Sequence, residues 1–125
     1  MLWNTGLASY LTKWDSPEAL MNGAILETYV FCEIMKSYWH NGKEESVYFY
    51  RENEQKEIDF IIEKNNVLYP VEVKKTSTPD FKDFKNFNLL KSFKTKSIAT
   101  GALICMYPNA MPIGNNVLSI PIWEI

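Results

Sequence analysis

Apolar positions follow a helical repeat in the first part of this chain and short β-rich runs after it, and the switch between them marks its elements. Up to about Trp39 the period is helical. Ser16-Pro17-Glu18 supplies an N-cap and a proline for the first turn, and Asn41-Gly42 supplies the stop. Leu26, Val30, Phe31, Ile34, Met35 and Tyr38 share one face of that helix, and Gly23 marks a break or bend near its start. From Val47 the helical pattern gives way to short β-rich runs. Val47–Tyr50, Ile58–Ile62 and Val67–Lys74 read as strands, separated by the polar turn Glu52-Asn53-Glu54-Gln55 and by Asn65-Asn66. Pro70 inside the third run predicts a strand start, an edge position or a bulge.

Beyond the loop Thr76–Pro79, Asp80 opens a predicted helix reaching about Phe93. Phe81, Phe84, Phe87 and Leu90 recur every third residue along it. Gly101–Tyr107 is a continuous apolar run of the buried-strand kind, Pro108–Asn116 reads as irregular, and Val117–Ile122 closes the chain as a strand. The order α-β-β-β-α-β-β predicts an α/β fold with a central mixed sheet flanked by helices. Residues 1–15 hold Leu2, Trp3, Leu7, Tyr10, Leu11 and Trp14 with no partner of their own. They read as the remnant of an upstream segment or as a dimer face, and residues 16–125 read as the domain proper.

Composition narrows the classes. At 125 residues, the chain has room for one hydrophobic core. No run of about 18 apolar residues occurs, so no membrane span is expected, and no basic flank with an apolar stretch marks a secretory signal. Cys32 and Cys105 sit in apolar surroundings and read as reduced, inert thiols, which points to the cytoplasm. His40 is the single histidine, which excludes a histidine-rich zinc site. No phosphate-binding Gly-x-x-x-x-Gly-Lys-Ser/Thr motif is present.

Charge is unevenly spread. Residues 1–72 carry 6 Lys/Arg against 12 Asp/Glu, whereas residues 73–125 carry 7 Lys against 3 Asp/Glu. Those lysines, among them Lys75, Lys82 and Lys85, lie between Lys74 and Lys96. They form either a stripe for a phosphate backbone or the solvated side of a helix.

The candidate chemistry lies on the strands. Glu57-Ile58-Asp59-Phe60 and Val71-Glu72-Val73-Lys74 place acids on strands whose apolar neighbours predict burial. Alternation puts Glu72 and Lys74 on one face, with Asp59 on the neighbouring strand. Such a group is either an internal salt bridge or a site for a divalent cation. In the second reading Asp59 and Glu72 are ligands and the Val73 carbonyl adds an oxygen. Lys74 then polarises a water or stabilises a transition state. Hard oxygen donors favour Mg²⁺ or Mn²⁺ over zinc. Glu27 interrupts the apolar helix stripe and can add a ligand or orient a water. Glu57 shares the Asp59 face.

A helical Glu27 followed by Asp59 and by Glu72-Val73-Lys74 on consecutive strands resembles the PD-(D/E)xK nuclease superfamily, whose core is the restriction-endonuclease-like α-β-β-β-α-β. Asn4-Thr5-Gly6-Leu7-Ala8, Gly23–Val30, Glu57–Phe60 and Pro70–Lys75 together resemble the uncharacterised C-terminal domain of bacterial and archaeal AAA+-type ATPases. The resemblance implies Asp59 and Glu72 as metal ligands, Lys74 as the catalytic lysine and Glu27 as the helical acid. Ile58 stands where the superfamily name has proline. It also implies an ATPase domain normally in the same chain.

Two functions follow as expectations. One is metal-dependent phosphodiester hydrolysis on DNA. The other is a catalytically inactive module that binds nucleic acid or protein and regulates the ATPase, a reading that the acidic first half favours. A small-molecule phosphoesterase with the same site fits the lysine-rich stretch less well than a polymeric substrate does.

Overall fold

The computed structural model describes residues 2–4, 25–40, 46–93 and 95–125. The predicted helix start at Ser16-Pro17, the bend at Gly23 and the stop at Asn41-Gly42 lie outside them, as does most of the apolar N-terminal stretch. One α-helix, α1 (Ile25–His40), and eight strands are described: β1 (Leu2–Asn4), β2 (Ser46–Asn53), β3 (Lys56–Lys64), β4 (Val67–Val73), β5 (Ser97–Ile98), β6 (Gly101–Cys105), β7 (Met111–Gly114) and β8 (Val117–Pro121). They form one mixed sheet in the order β1-β2-β3-β4-β6-β8-β7, with β5 also paired to β4. The half from β1 to β4 is antiparallel. β4, β6 and β8 are parallel, and β7 returns antiparallel on β8.

Local chemistry fixes the turns. Asn53 Oδ1 accepts from the backbone N–H of Gln55 at 2.8 Å and of Lys56 at 3.0 Å, closing the β2–β3 hairpin. Asn65 and Asn66 both adopt positive φ (52° and 66°) between the paired residues Lys64 and Val67. A two-residue turn with two left-handed positions suits the right-handed strand twist, and asparagine tolerates that region well.

Pro70 occupies neither an edge nor a strand start. β4 lies in the middle of the sheet, between β3 and the β5/β6 side. Leu68 O accepts from Ala99 N at 2.9 Å on that second side, and Pro70 shares the parity of Leu68. Its missing N–H therefore faces the gap where β4 stops pairing with β5 at Leu68 and starts pairing with β6 at Val71. The proline costs no ladder bond there.

The sheet carries a core on each face. On one, Val30 and Phe31 of α1 pack with Val47, Phe60, Val71, Val73, Ile104 and Ile122. The helix stripe read from the sequence faces the sheet, with Tyr38 outside the described side chains. On the other face Phe84, Phe87 and Leu90 pack with Tyr50, Ile58, Ile61, Leu68, Leu103 and Val117.

The segment that supplies those phenylalanines is not the α-helix predicted. It forms 3₁₀ turns at Phe81–Asp83 and Lys85–Ser92. The reason lies in the spacing. A 3₁₀ helix has about 3.0 residues per turn and eclipses positions i and i+3, so a strict three-residue period makes one straight apolar ridge. An α-helix would wind the same residues around its axis. Asp80 and Asp83 form a capping box at its start, and Asn86 Nδ2 ties it to the carbonyls of Gln55 and Glu57, each at 3.0 Å.

The stretch read as irregular, Pro108–Asn116, contains β7. Ser119 is fully buried, and its Oγ donates to Asn109 O at 2.9 Å while accepting from Met111 N at 3.3 Å. This contact, invisible to periodicity, anchors the edge strand.

Gly101 begins β6 directly beneath the Phe87 ring. A Cβ there would lie 2.6 Å from Phe87 Cε2 and 3.2 Å from Pro70 Cγ. Gly101→Ala is therefore expected to lower stability by about 1–3 kcal/mol through overpacking, read as a lower urea midpoint; an unchanged midpoint would show that the ring has room to move.

Candidate functional site

The ladder between β3 and β4 ends at the pair Phe60–Val71. One residue further along, the strands part and two side chains fill the fork. Glu72 Oε1 accepts from Asp59 N–H at 3.1 Å, and Asp59 Oδ2 accepts from Val73 N–H at 2.9 Å. Each carboxylate thus takes the place of a backbone carbonyl belonging to the other strand. Both acids are buried, Asp59 at 8% and Glu72 at 5% exposure.

A bulge helps to create the fork. Tyr48 pairs with Ile61 and Tyr50 with Ile58, so Phe49 alone opposes Asp59 and Phe60. The extra residue resets the alternation, and Ile58 and Phe60 join opposite cores although they are two positions apart. Asp59 comes to line a cleft of about 200 Å³ beside α1, together with Leu26, Glu27, Glu57, Val73, Lys74 and Lys75. On its far side β4 remains paired to β6 through Glu72–Leu103 and Val73–Ile104, and Lys74 N–H donates to Ile104 O at 2.9 Å. The site sits at the carboxyl end of the strand where the sheet changes from antiparallel to parallel, the kind of place where α/β sheets bind ligands.

Electrostatics mark Glu72. Burial holds its pKa well above the ordinary 4.5, and the neighbouring Asp59 charge and a hydrogen bond to that carboxyl push the same way. Lys74 and the Asp59 N–H act in the opposite sense. Lys74 Nζ lies 3.7 Å from Glu72 Oε2 and is about half exposed, so it compensates only in part. The two buried carboxyls offer hard oxygen donors of the type that divalent cations take, with the Lys74 ammonium beside them. Among the described residues no three His, Cys, Asp or Glu side chains converge at metal-ligand spacing. Two carboxylates suffice where a substrate phosphate and water complete the shell, as is usual for Mg²⁺.

The candidate residues divide accordingly. Asp59, Glu72 and Lys74 are brought together; Asp59 and Lys74 line the cleft with Glu27, Val73 and Lys75, and Glu72 is tied to it through the Asp59 N–H and Lys74. Lys82 and Lys85 lie elsewhere, exposed on the 3₁₀ segment that packs on the opposite face of the sheet. Glu57, read from the sequence as sharing the Asp59 face, does line the cleft, and Arg51 Nε stands 3.9 Å from its carboxylate. Sequence periodicity carried no signal of the bulge.

Residues 22–125 match the family model described as Domain of unknown function (DUF4143). The chain belongs to the DUF4143 family. All of Glu27, Asp59, Glu72 and Lys74 fall inside the matched region. No curated protein and no solved structure matches this DUF4143 chain. No helix among the described residues is long and apolar enough to cross a membrane.

The Glu72 environment sets a pH dependence. A carboxyl whose pKa is raised on folding binds its proton more tightly in the folded state. Its contribution is fully present below about 4.5 and is lost as pH rises toward the raised folded value. In chelator, Glu72→Gln should therefore gain stability relative to the parent as pH rises through that window, because Oε1 still accepts from Asp59 N–H while the charge is gone. Urea melts at stepped pH measure this; parallel pH profiles for the two proteins would contradict it.

Proposed function

We propose that this DUF4143 domain hydrolyses phosphodiester bonds in DNA at the cleft lined by Asp59 and Lys74, with Glu72 beside them, as a nuclease of the PD-(D/E)xK type. The observation that carries the reading is the fork itself. Two buried carboxylates on adjacent strands cross-brace each other's backbone, and Lys74, 3.7 Å from Glu72, lines the cleft together with Asp59. The described order of one helix, three antiparallel strands, a crossover and a parallel strand supports a restriction-endonuclease-like core.

Asp59 and Glu72 would hold a Mg²⁺ or Mn²⁺ ion, with the Val73 carbonyl as a further oxygen donor. Such an ion supplies Lewis acidity toward the phosphate and the water when bound. The chain's own groups do the rest. Lys74 places a cation beside Glu72 where charge grows on the phosphoryl oxygens, and a half-exposed ammonium reaches a substrate without leaving its strand. Glu27 stands across the cleft on α1 to orient a water or accept its proton. Lys75 adds a second positive charge at the cleft mouth for the backbone of the substrate. The backbone bonds made by Asp59 and Glu72 fix both carboxylates, which lowers the reorganisation needed during reaction.

A second reading has its own support. Only two acids converge in the fork among the described residues, which suits a module that binds nucleic acid or protein without cleaving it. In either reading the natural neighbour is an AAA+-type ATPase domain.

The two readings separate in a cleavage assay on single-stranded, duplex and branched DNA with Mg²⁺ or Mn²⁺. The nuclease reading expects metal-dependent cleavage that falls about 10²-fold or more in Lys74→Ala and Asp59→Asn. Absence of cleavage by the parent on every substrate would favour the binding module.

A further inference from the structure

The 3₁₀ segment carries a second surface, on the face of the sheet away from the cleft. Backbone bonds from Phe84 N to Phe81 O and from Phe87 N to Phe84 O, each 3.1 Å, keep the three-residue period through both turns. Two ridges therefore run side by side. Phe81, Phe84, Phe87 and Leu90 form one, and Lys82, Lys85, Asn88 and Lys91 form the next. Beside them lies a mostly apolar pocket of about 530 Å³, between this segment and the ends of β6 and β8. That is within the usual range for a ligand pocket.

The pocket is built rather than accidental. Phe84 and Phe87 are buried against the sheet and form its floor, and they seat there because Gly114 and Gly101 lack the Cβ that each ring would strike. Phe81 stands at the mouth and is 58% exposed. It meets Phe84 edge to face, at 5.5 Å between centroids and 80° between planes, which holds its ring in place. Lys91 and Asn88 line the rim. Lys82, Lys85 and Lys91 are exposed and form no ion pair with a described residue. Asp80 and Asp83 are occupied with capping the turn: Asp80 Oδ1 accepts from Phe81 N at 2.7 Å, and Asp83 Oδ2 from Asp80 N at 2.9 Å.

We propose that this surface binds single-stranded nucleic acid, with a base stacked on Phe81 at the pocket and the phosphates following the Lys82–Lys85–Lys91 ridge. An exposed aromatic ring beside a row of cations is the pairing that single strands require, one group for the base and the other for the backbone. A duplex keeps its bases stacked on one another and offers the pocket nothing to insert. The charge of the ridge is complementary to such a strand even though the chain as a whole carries −2. The site is separate from the Asp59–Glu72 cleft and stands whether or not that cleft cleaves.

The test is fluorescence anisotropy of labelled oligothymidylate with the whole chain, titrated over a range of salt concentrations, against a duplex and a polyglutamate peptide. Phe81→Ala should weaken single-strand binding about tenfold, within the range for loss of one stacked base. Lys85→Gln/Lys91→Gln should weaken it and make the salt slope shallower by about 0.7 per lysine. Lys36→Gln, an exposed lysine on α1, should change neither. All substituted side chains are exposed, and circular dichroism confirms folding. Equal affinity in Phe81→Ala, or a duplex bound as tightly as the single strand, would overturn the proposal. So would binding of the acidic peptide in place of the oligonucleotide with the same dependence on Phe81, which would reassign the surface to a protein partner.

Discussion

The exchange of hydrogen bonds between Asp59 and Glu72 is the constraint on which this fold turns. Where β3 and β4 separate, two buried backbone donors would be left without carbonyl partners, a cost of roughly 1–3 kcal/mol each. Asp59 and Glu72 supply the missing acceptors, each across to the other strand. The fork can open without an orphaned N–H, and the opening is what makes a cleft beside α1. The same exchange brings two carboxyls into a buried site where both cannot be charged at no cost. Structure and chemistry thus share one cause. The acids that allow the strands to part are the acids that would hold a cation.

Around this fork the sheet separates two tasks. On the helix side, Val30 and Phe31 pin α1 over Phe60 and Val71, which fixes the helix that carries Glu27. On the other side, the 3₁₀ segment covers Ile58, Ile61 and Leu68. Its hydrogen bonds from Asn86 to Gln55 and Glu57 brace the approach to Asp59 from beneath. Packing on that second face therefore supports the position of the strand that carries the site, while its lysine ridge faces away from the cleft.

Much of this was legible in the residues, and the rest was hidden for physical reasons. Short β-rich runs bounded by turn residues located β2, β3, β4 and β8, and a continuous apolar run located the buried β6. The helical stripe located α1. Asp59, Glu72 and Lys74 stood out as charges among apolar neighbours, and their convergence follows from pairing β3 with β4. The three-residue spacing of the phenylalanines was visible, yet helix type needed the 3₁₀ geometry that makes such a spacing straight. β7 was missed because a short exposed edge strand buries little, and its anchor is one serine hydroxyl. Pro70 pointed to a strand start, an edge or a bulge, but a junction between two partner strands tolerates it equally well. Lys82 and Lys85 were grouped with Lys75 by proximity in sequence, whereas the sheet runs between them. The bulge at Asp59–Phe60 leaves no periodic trace, since it depends on the register against β2.

The central claim is that Asp59 and Glu72 form one divalent-cation site. Its most direct test is a Mn²⁺ titration followed by electron paramagnetic resonance, comparing the parent chain with Asp59→Asn and Glu72→Gln. The account predicts one saturable site in the parent that is lost or much weakened in both variants, while all three remain folded. Mn²⁺ binding that is unaffected by either substitution, or no binding by the folded parent at millimolar metal, would contradict it.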